Sequence, residues 1–390
     1  MRHLNVYYDT RIRGEVIDLM SLGSTNGVLC PGLRSLYWWV VGATVPLHRL
    51  LLSTKLTALS LIHLPSDSPE GELSVLQPVI VGLDTFHLRD LHIQWWIFDE
   101  TSVQMESATS SAVLRCGPAL EKLTVVSPLS DAAIQYIMQL PNLRTWHTAS
   151  GPPSTPNLSL SDIFPRLDHL SLAVEKSLEW ITLFTKTPRR IPSGQSSHPS
   201  LKHGPAQRLT LLDILPNVTI DTVFMSRVIQ FRELTILRLK SACSHLQGCV
   251  FNLTDDDIAE IATALPHLEE AVLGRVCSAN SCQTTIESLV FLSTRCRDLR
   301  VLEVHFNTTY LRNDLEFVLT DHRFHDLPTR RTSDNFHLSL SRAPCGISGD
   351  DFALVLMGFR RIFPSLSEIS GNDASWEELC AFGVMTGQFV

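Results

Sequence analysis

The chain has 390 residues, 44% of them hydrophobic, enough to bury a substantial core. Its formal net charge of -8 and pI near 6.0 exclude broad electrostatic binding of nucleic acid, and the pairs Arg189-Arg190, Arg330-Arg331 and Arg360-Arg361 do not make a basic face. No stretch reaches the ~18 consecutive apolar residues of a spanning helix, and the opening Met1-Arg-His-Leu-Asn-Val lacks the apolar run and cleavage site of a signal peptide, so the expected setting is cytoplasm or nucleus, away from membranes.

Taken in chain order, one motif recurs: Leu-x-x-Leu-x-Leu, with substitutions at its second and third apolar positions. Copies begin at Leu33, Leu56, Leu88, Leu120, Leu143, Leu167, Leu234, Leu268 and Leu299, and weaker ones lie at 209–214, 338–340 and 366–369. Successive first leucines are 23, 32, 32, 23 and 24 residues apart, then, after an interruption, 34 and 31. The last two apolar positions alternate, so they share one face of a short strand. Turn residues lead many copies in: Cys30-Pro-Gly, Cys116-Gly-Pro, Leu140-Pro-Asn, Phe164-Pro-Arg and Leu265-Pro-His.

Between the copies, apolar spacing predicts amphipathic helices over 11–22, 131–140, 178–185, 221–231, 284–296, 349–363 and 376–385. Thr254 with Asp257 forms the pattern of a capping box opening a helix on Ile258, Ile261, Ala262 and Leu265. Strand, turn and helix repeated this way predict an α/β leucine-rich-repeat solenoid over 1–390. In it, parallel strands line the concave side and helices the convex side. Two polar stretches, 188–207 with four prolines and 321–335, read as mobile insertions. Met1 to Val6 already reads as a repeat strand, so a cap or further segment is expected upstream.

The second half carries a resemblance. Leu253-Thr-Asp-Asp-Asp-Ile-Ala-Glu-Ile, Leu265-Pro-His-Leu-Glu-Glu, Cys296-Arg-Asp-Leu-Arg-Val-Leu and Ile362-Phe-Pro-Ser-Leu are similar to the repeats of fungal F-box/leucine-rich-repeat proteins. The resemblance implies repeats that bind a substrate, with an N-terminal F-box docking the adaptor of a cullin-type ubiquitin ligase. No Leu-Pro-x-Glu-like opening precedes the repeats, so an F-box is either missing or lies upstream. The alternative is a stand-alone binding or inhibitory repeat protein.

No chemical signature emerges: there is no phosphate loop, dinucleotide fingerprint, His-Glu-x-x-His or Gly-x-Ser-x-Gly. Asp321-His322-Arg-Phe-His325-Asp326 clusters metal-ligand types but reads as a polar loop. Nine cysteines without a Cys-x-x-Cys pair, among them Cys243, Cys249, Cys277 and Cys282, read as core or loop thiols. The Asn-x-Ser/Thr sequences at Asn157, Asn217, Asn252 and Asn307 read as chance matches. No enzyme activity, cofactor or metal is expected.

Binding is expected instead on the concave side, from residues flanking the inward pair of each strand. These are Ser35, Tyr37 and Trp39; Asp90, His92 and Gln94; Lys122, Thr124 and Val126; Thr145 and His147; His169 and Ser171; Arg238 and Lys240; Glu303 and His305. Rings and arginine anchor interfaces best, which selects Tyr37, Trp39, His92, His147 and Arg238 as candidates for contact with a protein partner. Trp38 and Trp146 fall at inward, core positions.

Overall fold

A computed structural model describes residues 2–6, 30–40, 53–63, 80–95, 102–154, 163–173, 177–185, 209–214, 220–240, 252–274, 283–304, 307, 311–321, 336–340, 351–371 and 374–386. The expected helix over 11–22, the insertion over 188–207 and the cysteines 243, 249, 277 and 282 lie outside the described residues. The described chain is α/β, and within each of its units the strands pair in parallel, in sequence order. It falls into two compact units, the first holding the described residues through Ala173 and the second those from Ser177 onward.

The first unit contains β1 (His3–Val6), β2 (Ser35–Val40), β3 (Ala58–His63), β4 (Asp90–Trp95), β5 (Lys122–Val125), β6 (Thr145–Thr148) and β7 (His169–Leu172), with helices α1 (Ser102–Arg115) and α2 (Asp131–Met138). The second contains β8 (Leu211–Ile214), β9 (Ile236–Leu239), β10 (Glu270–Leu273), β11 (Val301–Val304), β12 (Phe336–Leu340) and β13 (Leu366–Gly371). Its helices are α3 (Ser177–Thr185), α4 (Thr222–Val228), α5 (Asp255–Ala264), α6 (Ile286–Arg295), α7 (Leu311–Thr320), α8 (Phe352–Ile362) and α9 (Ala374–Met385). No helix among the described residues is long and apolar enough to cross a membrane.

The motif explains the packing. Its second position stacks in register as Leu36, Leu59, Leu91, Leu123, Trp146 and Leu170 in the first unit. Leu212, Leu237, Ala271, Leu302, Leu338 and Ile369 do the same in the second. All are at most 2% exposed, as are the first leucines of every copy from Leu33 to Leu299. Each side chain buried this way contributes about 1.5–3 kcal/mol. A turn delivers the first leucine: the Leu33, Leu56, Leu167, Leu234, Leu268 and Leu299 amides donate to the carbonyl three residues back. Aromatic pairs fill the wider parts of the core, with Trp146 and Phe164 at 5.1 Å and Phe336 stacked on Phe363 at 4.4 Å.

Helix starts follow their caps. Thr254 and Asp257 form the expected capping box, and Asp221 caps α4 by accepting from the Phe224 amide at 2.8 Å. Asp255 reaches the next helix: its carboxylate accepts from the Thr285 amide at 2.7 Å, the Thr285 hydroxyl at 2.8 Å and the Ser288 hydroxyl. Two helices, α1 and α7, were not expected from the sequence. The buried stripe of α1 runs through Met105, Thr109, Ala112 and Val113, and Thr109 satisfies its hydroxyl on the Met105 carbonyl at 2.7 Å. A stripe interrupted by threonine and serine carries little hydrophobic signal.

Helices α7 and α8 meet at a glycine. A Cβ at Gly358 would lie 2.8 Å from Leu315 Cδ2 and 2.9 Å from Leu315 Cβ. Alanine gains about 1 kcal/mol of helix propensity over glycine, but overpacking costs about 1–3 kcal/mol. Leu315 Cβ sits one bond from the backbone and cannot swing aside, so the overpacking cost prevails. Gly358→Ala should lower the urea midpoint by the equivalent of about 1 kcal/mol with an unchanged slope; an equal or higher midpoint would show that Leu315 yields.

Candidate functional site

Because register is kept from β2 to β7, the residues between the buried positions align as well. Tyr37, Ser60, His92, Thr124, His147 and Ser171 form one row across six neighbouring strands. All six are half-buried. Two residues further along the strands, Trp39 aligns with Ile62 and Gln94. The structure thus brings four of the five candidates, Tyr37, Trp39, His92 and His147, onto one face of the first unit. Trp38 and Trp146 are fully buried, on the opposite side of their strands.

The row alternates in size. Rings stand on β2, β4 and β6, and hydroxyls stand on β3, β5 and β7. Ser60 Oγ lies 3.2 Å from His92 Nδ1, and Ser171 Oγ lies 2.6 Å from His147 Nδ1. Ser60 and Ser171 therefore orient the His92 and His147 imidazoles.

A second alternation runs along the N-terminal edge of the same sheet. The residue after each first leucine is Arg34, Thr57, Arg89, Glu121, Arg144 and Asp168 on β2 to β7 in turn, and all three arginines are exposed. Strands β2, β4 and β6 thus share a submotif, Leu-Arg-x-apolar-ring: Leu33-Arg-Ser-Leu-Tyr37, Leu88-Arg-Asp-Leu-His92 and Leu143-Arg-Thr-Trp-His147. A single copy does not mark these arginines out; their alternation is visible only across every second copy.

In the second unit, Arg238 is already engaged. Its Nε and Nη2 donate to Glu270 Oε1 and Oε2 at 2.6 and 2.8 Å, a bidentate pair across β9 and β10. The Glu270 hydrogen bond, with the carboxylates of Glu270 and Asp213 nearby, holds the guanidinium above its ordinary value against the effect of burial. Lys240 Nζ stands 3.8 Å from Asp213 Oδ2 on the same face. Val272, between Arg238 and Glu303 in register, is only 4% exposed although it occupies an outward position.

Among the described residues no three His, Cys, Asp or Glu are placed to hold a metal. Asp321 ends α7, while the remaining members of its sequence cluster lie outside the described residues. Burial pushes the Cys116 thiol up to about 12, which leaves it protonated and unreactive. An open groove of ≈ 610 Å³ beside α1 is lined by Val103, Glu106, Ser107, Ser111, Leu114 and Ser130, among others. It presents no histidine or cysteine beside a serine. Comparison with protein-family models gives no match, and comparison with curated proteins gives none.

Two outcomes test this geometry. Burial lowers the His92 pKa, against the opposing pull of Asp90 and the Gln94 hydrogen bond. The unfolded chain therefore takes up a proton at higher pH than the folded one, so acidification through the ordinary 6.5 erodes stability. His92→Gln should flatten the fall in Tm between neutral pH and the region below that value; an unchanged pH profile would mean the ring is solvated. For the second unit, side chains 29% and 21% exposed make the Arg238–Glu270 pair stronger than a surface bridge. A double-mutant cycle of Arg238→Ala and Glu270→Ala should give about 1–2 kcal/mol of coupling by urea denaturation.

Proposed function

We propose that this chain is a leucine-rich-repeat solenoid that binds another protein through the open face of its first unit and carries out no chemistry of its own. The observation that supports this reading most is the aligned row of Tyr37, His92 and His147, in which Ser60 and Ser171 orient the two imidazoles and beside which Trp39 lies two residues along β2. Half-buried rings in fixed orientation lose little entropy on binding and make good anchors. The recurring motif and its all-parallel strands support the solenoid. On the resemblance of its second half to F-box/leucine-rich-repeat proteins, the partner is a ligase substrate; the signal-peptide-free opening of the sequence supports a setting in cytoplasm or nucleus.

The test is affinity capture from native cells with the wild-type chain and with a Tyr37→Ala, Trp39→Ala, His92→Ala variant of unchanged Tm. Truncation of interface anchors costs about 2 kcal/mol or more each, so the principal partner should be retained at least tenfold less by the variant. Equal retention would move binding away from this face. Co-capture of a cullin adaptor identifies a ubiquitin-ligase receptor, whereas a retained partner without adaptor identifies a stand-alone binding protein.

A further inference from the structure

Within an acidic chain, the N-terminal edge of the first unit's sheet is basic. Arg2, Arg34, Lys55, Arg89, Lys122, Arg144 and Arg166 line it, against Asp90, Glu121 and Asp168. The edge is defined by backbone contacts: the Arg34, Thr57, Arg89, Glu121 and Arg144 amides each donate to the carbonyl of the corresponding residue one strand earlier, at 2.8–2.9 Å. The rungs are therefore one strand spacing apart. Among the described residues, Arg89 and Arg144 have long, exposed ion pairs, to Glu121 at 3.6 Å and Asp168 at 3.8 Å. Such pairs are weak and exchangeable. Arg34 has no ion-pair partner among the described residues.

The spacing selects a ligand. Arginines occupy alternate rungs, and with strands ~4.8 Å apart they recur every ~9.5 Å. A polyproline II strand advances about 3.1 Å per residue with three residues per turn, so every third side chain lies on one face, about 9.3 Å from the last. An extended β-strand repeats a face at about 6.7 Å or 13 Å and does not match. The tyrosine and histidine rings recur with the same two-strand period, and aromatic surfaces suit the flat sides of proline.

We propose that the partner presents an acidic segment in polyproline II conformation, with a carboxylate at every third residue, lying across β2, β4 and β6 so that successive carboxylates meet Arg34, Arg89 and Arg144. This rests on the reading of the first unit as a protein-binding face and names the chemistry of its partner. The span from β2 to β6 is ~19 Å and is covered by six residue steps of such a segment.

The test is fluorescence anisotropy of the full chain with a labelled repeating Glu-Pro-Pro peptide. Comparison ligands are a peptide of the same composition with its glutamates clustered, a Lys-Pro-Pro peptide and a single-stranded RNA homopolymer. Glu-Pro-Pro should bind best, roughly tenfold tighter than the clustered peptide, and should weaken as salt is raised. Arg34→Gln, Arg89→Gln, Arg144→Gln should weaken it about tenfold or more, and the corresponding triple lysine variant should retain at least part of the binding. Equal binding of the clustered peptide, stronger binding of RNA, or indifference to the glutamine variant at unchanged Tm each overturns the proposal. Loss of partner capture on changing Tyr37, Trp39 and His92, with no Glu-Pro-Pro binding, would leave the protein-binding reading standing and remove only this inference.

Discussion

At the junction of β2 and β3 the amides of Thr57 and Ala58 both donate to the Arg34 carbonyl, at 2.8 and 3.0 Å. The same forked bond recurs on each rung of the first unit, from the Arg2 carbonyl, which accepts from the Arg34 and Ser35 amides, to the Arg144 carbonyl, which accepts from Asp168 and His169; in the second unit the Thr210, Thr235 and Glu269 carbonyls each accept two amides likewise. It saturates the carbonyl just ahead of each strand and fixes which residue faces which. Register is decisive in a sheet with one buried side, because a slip of one residue would turn every leucine to solvent and every outward side chain to the core. The leucine stacks and the half-exposed rows therefore share one cause. Buried leucines enforce the alignment, and the aligned ring and hydroxyl row follows without further selection on backbone geometry.

The return segments are freer. Helices range from the seven residues of α4 to the fourteen of α1, while most strands hold four to six. Unequal helices can follow equal strands because their ends are settled locally. Ser130, Asp221, Thr254 and Thr285 each accept from a first-turn amide. The Asp255 carboxylate, bound to Thr285 and Ser288, ties one helix start to the next. This arrangement has a cost in the same region. Burial raises the Asp314 pKa, and the neighbouring Glu287 and Asp255 carboxylates add to the rise.

What could be read from sequence follows from this division. Leu36, Leu59 and Leu91 announced their strands because hydrophobic burial with period two leaves a local trace. The box at Thr254 was equally legible, since its partner is three residues away. Helix α1 was not, because Thr109 and Ser110 occupy buried positions and hide the stripe. The candidate rings Tyr37, Trp39, His92 and His147 could be placed on one side by alternation alone. The Arg238–Glu270 pair could not, because it joins residues from copies whose first leucines are 34 apart, and that pairing depends on tertiary register.

The same outward positions carry different electrostatics in the two units, and that difference bears on where a partner would bind. In the second unit, Arg238 donates two short hydrogen bonds to a carboxylate on the adjacent strand, and Lys240 stands beside Asp213. A ligand seeking those cations must first displace an internal carboxylate and leave it uncompensated, which cancels most of the gain. In the first unit, the hydroxyl contacts of Ser60 and Ser171 orient the His92 and His147 rings. The arginines there are exposed and, where paired, separated from their carboxylates by 3.6 and 3.8 Å, so a stronger anion can replace those partners cheaply. Exposed arginines with weak ion pairs are thus found on the first unit, where ring and arginine recur together on every second strand.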